Sequence, residues 1–355
     1  MADYKKIFID KNEKLDGIAT DLLGHIKITK SFLAWSTFLF LIFGAGFYYY
    51  VIQLKEGLGV TGMGDYVSWG IYISHFVFFV AASLVGMLIS AVLGLIGYTW
   101  IKPITRIAEI IAVAFSSVAG LVIVTDMGRP DRLANVFLHG RIQSPIVWDI
   151  TVVTTYMVLS LLLYVIPLIP DMAIAKNRIN NAPKWLVKVY ELLSFNWRHK
   201  KEQYDILFRI TRMLLILVIP TAFAIHTVTS WLFAATPRAG WDNTIFGPYF
   251  LTGAFVTGTG GVIILMYFFR KNYGLDKYLT DMHFDKMARL LVLVSLVYLY
   301  FNINEFLVPA YKMKRFEAPH INELFIGHYA PMFWFSQLAG VILPIILLLF
   351  KSSGT

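Results

Sequence analysis

The sequence predicts an all-α polytopic membrane protein with eight transmembrane helices. Of its 355 residues, 57% are hydrophobic and 16% are aromatic, whereas a soluble domain is on average less than half apolar. Nearly uncharged stretches of about twenty residues recur along the chain, and an α-helix of that length crosses roughly 30 Å of hydrocarbon. A transmembrane β-barrel would instead show short alternating segments of about ten residues.

Eight apolar stretches define the predicted spans. They cover residues 32–52, 67–97, 107–124, 146–169, 210–235, 249–269, 290–308 and 329–350. An even number of spans places both termini on one side of the membrane. The N-terminus, the even-numbered loops and the C-terminus hold 21 Lys and Arg residues, whereas the odd-numbered loops hold 8. The positive-inside rule therefore predicts that both termini are cytoplasmic.

A long basic loop after the fourth span divides the spans four and four. We predict a cytoplasmic N-terminal segment (1–30), a first four-helix bundle (31–169), a cytoplasmic linker (170–208) and a second four-helix bundle (209–355). Basic loops account for the net charge of +9 without nucleic acid. The chain has no cysteine, so it cannot itself ligate an iron–sulfur cluster through thiolates.

Ionisable side chains at the spans are the candidate functional residues, because burying a charge in hydrocarbon costs several kcal/mol unless a partner compensates. These residues are His75, Glu109, Asp126, Asp149, His226 and Glu305. Each of the weaker candidates has two interpretations. It is either one station of a proton path or a group that is only hydrogen-bonded across helices.

His75 and His226 are predicted at similar depths in their spans. One interpretation is a haem held between them, and the other is a histidine that hydrogen-bonds inside the helix bundle. A transmembrane di-haem relay needs four histidines in two layers, and the second layer is missing. We therefore expect no haem and no metal ion to be held by this chain.

Asp149 has the most distinctive setting, on the first turn of the fourth span beside Trp148. Arginines in the preceding loop, such as Arg141, and the helix N-terminus favour the carboxylate, whereas burial disfavours it. Such a balanced carboxylate can accept a proton from a quinol hydroxyl as electrons leave, which is general-base chemistry. The alternative is an Asp–Arg pair that only seats the loop.

Five motifs together carry a family resemblance. They lie at residues 57–63, 68–74, 127–130 with 144–149, 226–231 and 245–250. With these motifs the chain resembles the NrfD/PsrC-like family of integral membrane subunits, which includes the anchors of polysulfide reductase, alternative complex III and the Dsr, Hmc and Qrc complexes.

The resemblance implies two four-helix bundles, no haem, and a quinone pocket near the periplasmic end of the first bundle. Electrons would pass between the quinone, expected to be menaquinone, and the clusters of a ferredoxin-like iron–sulfur subunit on the periplasmic side. A molybdopterin enzyme or a multihaem cytochrome c subunit is the expected further partner, and proton translocation is expected in some members. The expected location is the prokaryotic cytoplasmic (inner) membrane.

The resemblance also selects site residues. Asp149 of the Ser-Pro-x-x-Trp-Asp element becomes the expected proton acceptor. The predicted quinone site comprises Asp149, His75, Trp69, Tyr72, Trp148 and Arg141, and the predicted proton path comprises Asp149, Asp126, Glu109, His226 and Glu305. One departure is that many relatives carry a His-Ala-Gly-Thr element where this chain has Leu84 to Met87, and His75, nine residues earlier, either replaces the missing histidine or has another task.

The function predicted from the sequence is a quinone-interacting membrane anchor of a respiratory redox complex, a non-haem subunit that exchanges electrons with an iron–sulfur partner. Two alternatives stay open. One is a secondary transporter, which basic loops and buried acids also fit. The other is a structural anchor or proton channel without its own quinone site, which the missing histidine favours.

Overall fold

The computed structural model describes residues 29–65, 67, 69–97, 100–178 and 184–351. Within these ranges all regular secondary structure is helical. The predicted N-terminal cytoplasmic segment lies almost entirely outside the described residues.

Eight helices are long and apolar enough to cross a membrane, which confirms the predicted number of spans. They are α1 (Lys30–Glu56), α2 (Ile71–Ile96), α3 (Lys102–Asp126), α4 (Pro145–Arg178), α5 (Lys201–Ala234), α6 (Phe246–Tyr273), α7 (Asp281–Lys312) and α8 (Ala330–Phe350). Shorter helices cover Leu133–Leu138, Lys184–Leu193 and Ala318–Phe325. Most of the long helices extend beyond the apolar stretch that predicted them, because polar residues at their ends also adopt helical backbone.

Capping residues explain two of these extensions. The Thr29 hydroxyl accepts a hydrogen bond from the Phe32 amide at 3.1 Å, and α1 ends where Gly57 takes a φ of +88°. At the start of α7, Thr280 and His283 form a reciprocal capping box. Each cap satisfies backbone groups that the first or last turn leaves without a partner.

Two of the long helices contain a wide π-helical turn. In α2 the turn covers Ile89–Leu93, and in α8 it covers Leu338–Ile342. Such turns occur often at functional sites, because one extra residue changes which side chains a helix presents. Both turns lie beside polar groups that are described below.

The chain divides into two compact units. The described residues of unit 1 belong to 29–70 and 161–215, and those of unit 2 belong to 71–160 and 216–351. The divisions fall inside α4 and α5, and the predicted partition into two four-helix bundles remains a prediction. In unit 1, an ion pair of 3.6 Å between Lys176 and Glu191 joins the end of α4 to the short helix Lys184–Leu193.

In unit 2, α2 packs against α3 and α6, and α6 packs against α7. Small residues make the first two contacts possible. A Cβ atom on Gly86 would collide with the Ala108 backbone of α3, and one on Gly258 would lie 2.5 Å from the Val85 side chain of α2. Close approach through small residues is the usual way in which membrane helices gain van der Waals contact.

Three loops of unit 2, residues 127–144, 235–245 and 313–329, lie at the same end of this unit. Gly240 in the second loop lies against the ring of His320 in the third. Trp148, just after the first loop, and Trp231, just before the second, have ring centroids 6.4 Å apart. We call this the three-loop end, and the positive-inside rule predicts that it faces the periplasm.

Candidate functional site

Asp149 lies in the first turns of α4 and is 3% exposed. Its carboxylate accepts a hydrogen bond of 2.5 Å from the hydroxyl of Thr229 on α5. Across the described ranges this is its one hydrogen bond, and it forms no ion pair there. A buried carboxylate with a single neutral partner is poorly compensated, which is typical of groups that exchange protons.

The predicted interaction of Asp149 with arginines of the preceding loop is wrong. Arg129 donates to the carboxylate of Asp131 at 3.0 and 2.9 Å instead. This hydrogen bond is the main reason why the pKa of Asp131 is lowered and that of Arg129 is raised. Arg141 is exposed. An exposed pair inside the loop avoids the cost of bringing an arginine into the buried surroundings of Asp149.

Trp148, the neighbour of Asp149, closes the loop rather than contacting the carboxylate. Its Nε1 donates a hydrogen bond to the carbonyl of Ile142. Its ring packs edge-on against Trp231 of α5. The two tryptophans therefore join the start of α4 to the end of α5 close to the Asp149–Thr229 hydrogen bond.

A cavity of about 420 Å³ lies between α2, α5, α6, α7 and α8 of unit 2. Its polar lining includes Ser74, His226, Thr229, Tyr249, Tyr298 and Gln337, and the rest of the lining is largely aliphatic. Thr229 thus belongs both to the cavity wall and to the hydrogen bond with Asp149. A mostly apolar cavity with a few convergent polar groups is the usual form of a small-molecule site.

His226 is the most unusual group of the cavity wall. It is 2% exposed, and its Nδ1 lies 3.2 Å from the backbone carbonyl of Ala222. Since a carbonyl oxygen only accepts, Nδ1 carries the hydrogen, and Nε2 of the neutral ring is a free acceptor. Nε2 is buried and has no hydrogen-bond partner among the described residues. The wall of the cavity therefore contains a histidine whose buried acceptor nitrogen has no partner among the described residues.

Two tyrosines form the opposite polar group of the cavity. The rings of Tyr249 on α6 and Tyr298 on α7 are stacked at 5.3 Å, with their hydroxyl oxygens 3.2 Å apart. Asn302, one turn after Tyr298, donates from Nδ2 to both hydroxyls, at 3.0 Å to Tyr249 and 3.4 Å to Tyr298. Gly253 leaves room for this ring, because a Cβ atom there would lie 3.2 Å from Tyr298.

Glu305 follows Asn302 by three residues and so lies near the same face of α7. It is 7% exposed, and its carboxylate accepts a hydrogen bond of 2.9 Å from Asn243 in the loop 235–245. This contact ties the buried carboxylate to the three-loop end. Glu305 therefore lies between the tyrosine pair and the loop surface along α7.

Glu109 lies in a different part of unit 2, near the start of α3. It is 4% exposed and accepts hydrogen bonds from Ser90, in the π-turn of α2, at 3.0 Å and from Arg106 at 3.2 Å. It has further contacts as well. Unlike Asp149, this carboxylate is compensated by a cation.

The remaining predicted residues lie apart from the cavity wall. His75 is exposed and bonds to the Ile71 carbonyl at 2.8 Å, and Trp69 and Tyr72 are half-buried. Asp126 ends α3 with one buried carboxylate oxygen that lacks a partner in the described chain. Of the predicted quinone set, only Asp149 is linked to the cavity, through Thr229. His226, predicted for the proton path, is the residue that lines it.

The sequence motifs assigned no role to five residues that line the cavity or contact polar groups of unit 2, namely Thr229, Tyr249, Tyr298, Asn302 and Asn243. The sequence did mark two of these residues as candidates, since Thr229 lies in the motif at 226–231 and Tyr249 lies in the motif at 245–250. Tyr298 has no such signal, since aromatic residues are common throughout the spans. Among the described residues, no three His, Asp or Glu side chains lie close enough to share a metal ion.

The fold and this mostly apolar cavity define a multi-pass helical membrane protein with a candidate small-molecule site. Three relatives agree with this class. A protein of Halobacterium salinarum, named as a membrane subunit of a dimethyl sulfoxide reductase, is 29% identical over 64% of this chain and 49% of its own length. A selenate reductase subunit of Mesobacillus selenatarsenatis is 28% identical over 85% and 71%. The integral membrane subunit of the menaquinone reductase of Nitratidesulfovibrio vulgaris is 33% identical over 42% and 36%.

The chain spans about half the length of the first of these relatives and about a third of the last. The model of the polysulphide reductase, NrfD family matches residues 59–354. The chain therefore belongs to the polysulphide reductase, NrfD family, as its sequence motifs predict.

Proposed function

We propose that this protein is the quinone-interacting membrane subunit of an oxidoreductase complex and that the cavity beside His226 is its quinone site. One observation carries the proposal. His226, whose buried Nε2 has no partner among the described residues, lines the same cavity as Thr229, which hydrogen-bonds Asp149. The menaquinone reductase relative supports quinone as the ligand class.

The polar groups suit the proton chemistry of a quinol. Oxidation of a quinol to a quinone releases two electrons and two protons. One hydroxyl proton passes to Nε2 of His226. The other reaches Asp149 through Thr229, whose hydroxyl oxygen takes the proton while its own hydrogen moves along the 2.5 Å hydrogen bond. Both electrons leave to iron–sulfur clusters of a partner subunit, one at a time, and quinone reduction runs through the same groups in reverse.

The finer parts of the proposal concern partners and protons. Menaquinone is the proposed quinone, and a ferredoxin-like iron–sulfur subunit is the proposed partner at the three-loop end, with a molybdopterin enzyme or multihaem cytochrome c subunit beyond it. Two of the relatives are named as membrane subunits of reductases, and the third is named as a subunit of selenate reductase. Glu109 is the proposed station of a proton path on the other side of unit 2.

The purified complex tests the function with 2-methyl-1,4-naphthoquinol as the probe. We expect the quinol to reduce the iron–sulfur clusters of the complex, and His226→Leu to slow this reaction at least tenfold, because the variant removes the acceptor but keeps an apolar side chain. His199→Leu, at an exposed residue of unit 1, is the matched control.

Two results would contradict the proposal. A complex whose clusters do not respond to the quinol favours a transporter or a purely structural anchor. A His226→Leu complex that reacts at the original rate moves the site away from this cavity. His75→Leu then decides between the two histidines, since a loss confined to that variant returns the site to the predicted residues around Trp69 and Tyr72.

A further inference from the structure

Tyr249 and Tyr298 in the cavity wall have two hydroxyl hydrogens, but only one of these hydrogens has an acceptor among the described residues. Each phenol carries one O–H, and both oxygens already accept a hydrogen bond from Asn302. At 3.2 Å, one hydroxyl donates to the other. The second hydroxyl hydrogen has no acceptor among the described residues. The pair therefore holds one free donor at the cavity.

Asn302 fixes this arrangement. Its amide nitrogen supplies both of its hydrogens to the two phenol oxygens, so neither tyrosine can turn its hydrogen toward Asn302. Asn302 is itself only 4% exposed, and Gly253 lets the Tyr298 ring lie close to α6. The donor is thus positioned by a buried side chain rather than by solvent.

The cavity then offers one free donor and one free acceptor on different helices. His226 supplies the acceptor, because its Nδ1 is occupied by the Ala222 carbonyl. A quinol matches both groups, since one of its oxygens can accept from a tyrosine and its other hydroxyl can donate to Nε2. A quinone has only acceptor oxygens. Its second carbonyl would face the lone pair of Nε2, and this contact is unfavourable in a buried site.

We propose that the cavity selects the reduced form of its ligand, with the Tyr249–Tyr298 pair binding one ring oxygen and His226 accepting the hydroxyl hydrogen of the other. This inference rests on the proposed function. It goes further by naming the residues that hold the second oxygen and the redox state that the site prefers. A site that binds quinol more tightly than quinone is suited to quinol oxidation.

Binding measurements on the intact complex test this preference. The probes are 2-methyl-1,4-naphthoquinol, the corresponding naphthoquinone, and 1,4-dimethoxy-2-methylnaphthalene, which keeps both oxygens but has no hydroxyl hydrogen. We expect the quinol to bind about tenfold more tightly than either of the other two. Equal affinity for all three would overturn the inference.

Variants separate the two binding groups. The double variant Tyr249→Phe/Tyr298→Phe keeps the stacked rings and should weaken quinol and quinone alike, by about five- to tenfold, because both forms use the tyrosine donor. His226→Leu should instead lower the binding affinity for the quinol until it equals the affinity for the quinone. Asn302→Leu should resemble the tyrosine double variant.

Matched controls lie on the exposed side of α7. Tyr300→Phe and Asn304→Leu make the same chemical changes at an exposed and a half-buried side chain that do not line the cavity, and we expect both variants to bind all three probes normally. If the complex oxidises the quinol but the tyrosine and Asn302 variants behave like these controls, the inference fails and the proposed function survives. If no probe binds the native complex, both fail.

Discussion

Asp149 and Glu109 are buried to the same extent, 3% and 4% exposed, yet their surroundings differ. Each accepts a hydroxyl hydrogen bond from another helix, from Thr229 and Ser90 respectively. Glu109 also pairs with Arg106 at 3.2 Å, whereas Asp149 has no cation in the described chain. Removing a charge from water is costly, so the group without a cation gains most from taking up a proton. The comparison separates a carboxylate suited to proton exchange from one that is held in place.

The largest effect is expected at Asp149. Asp149→Asn removes the proton acceptor but changes little volume, so the complex should assemble while quinol-linked turnover falls about 100-fold. Cluster reduction by 2-methyl-1,4-naphthoquinol measures this rate, and Asp285→Asn on the exposed face of α7 is the control. Unchanged turnover would remove Asp149 from the mechanism, and Asp149 would then not differ from Glu109 in its suitability for proton exchange.

The next effect concerns stability at Glu109. Arg106→Leu removes a cation from a buried carboxylate and should lower the free energy of unfolding by about 2 kcal/mol, less than for a fully buried pair because the arginine is partly exposed. Adding Glu109→Gln should restore part of this loss. Thermal denaturation in detergent measures both variants.

A surface pair provides the control for this experiment. Arg289 and Asp285 are 2.9 Å apart on an exposed face of α7, and such pairs contribute about 0–1 kcal/mol. Arg289→Leu should therefore leave the melting temperature nearly unchanged. If Arg106→Leu melts like Arg289→Leu, Glu109 is not held by its cation, and the two carboxylates are more alike than the distances indicate.

The smallest effect involves His320, which is outside the spans. Its ring lies against Gly240, and desolvation lowers the pKa of His320 below its ordinary value of 6.5. The unfolded loop then binds a proton more readily than the folded one, so the contact is strongest above about pH 6.5 and weakens as the pH falls through that value.

Hydrogen exchange of amides 236–245 measures this contact. Between pH 7.5 and 5.5 we expect the protection factor, corrected for intrinsic exchange, to fall about two- to threefold in the native protein. His320→Asn should remove the pH dependence, and His328→Asn should keep it. A fall that persists in His320→Asn would assign the effect to another group.

The sequence was sufficient for the eight helices and for the family, because long apolar stretches admit only helices in a membrane. It also located Asp149 as a buried acid near the start of α4. The sequence did not predict the partner of Asp149. Three arginines lie close to Asp149 in the sequence and favoured an ion pair, whereas the actual partner, Thr229, is 80 residues away. The tyrosine pair was missed because its two members are 49 residues apart and resemble the other aromatic residues of the spans.

The π-turn Leu338–Ile342 in α8 also has a consequence for how the shape of this cavity changes during evolution. Ser336 and Gln337 precede the turn, Gly340 and Val341 lie within it, and all four face the cavity. Loss of one residue there would convert the wide turn to ordinary α-helix and change which side chains of the turn face the cavity, while the two halves of α8 would keep nearly the same relative rotation. A deletion of one codon is therefore enough to remodel this wall while the last span still crosses the bilayer, so the number of residues in the turn is as informative about a relative's ligand as the identity of its side chains.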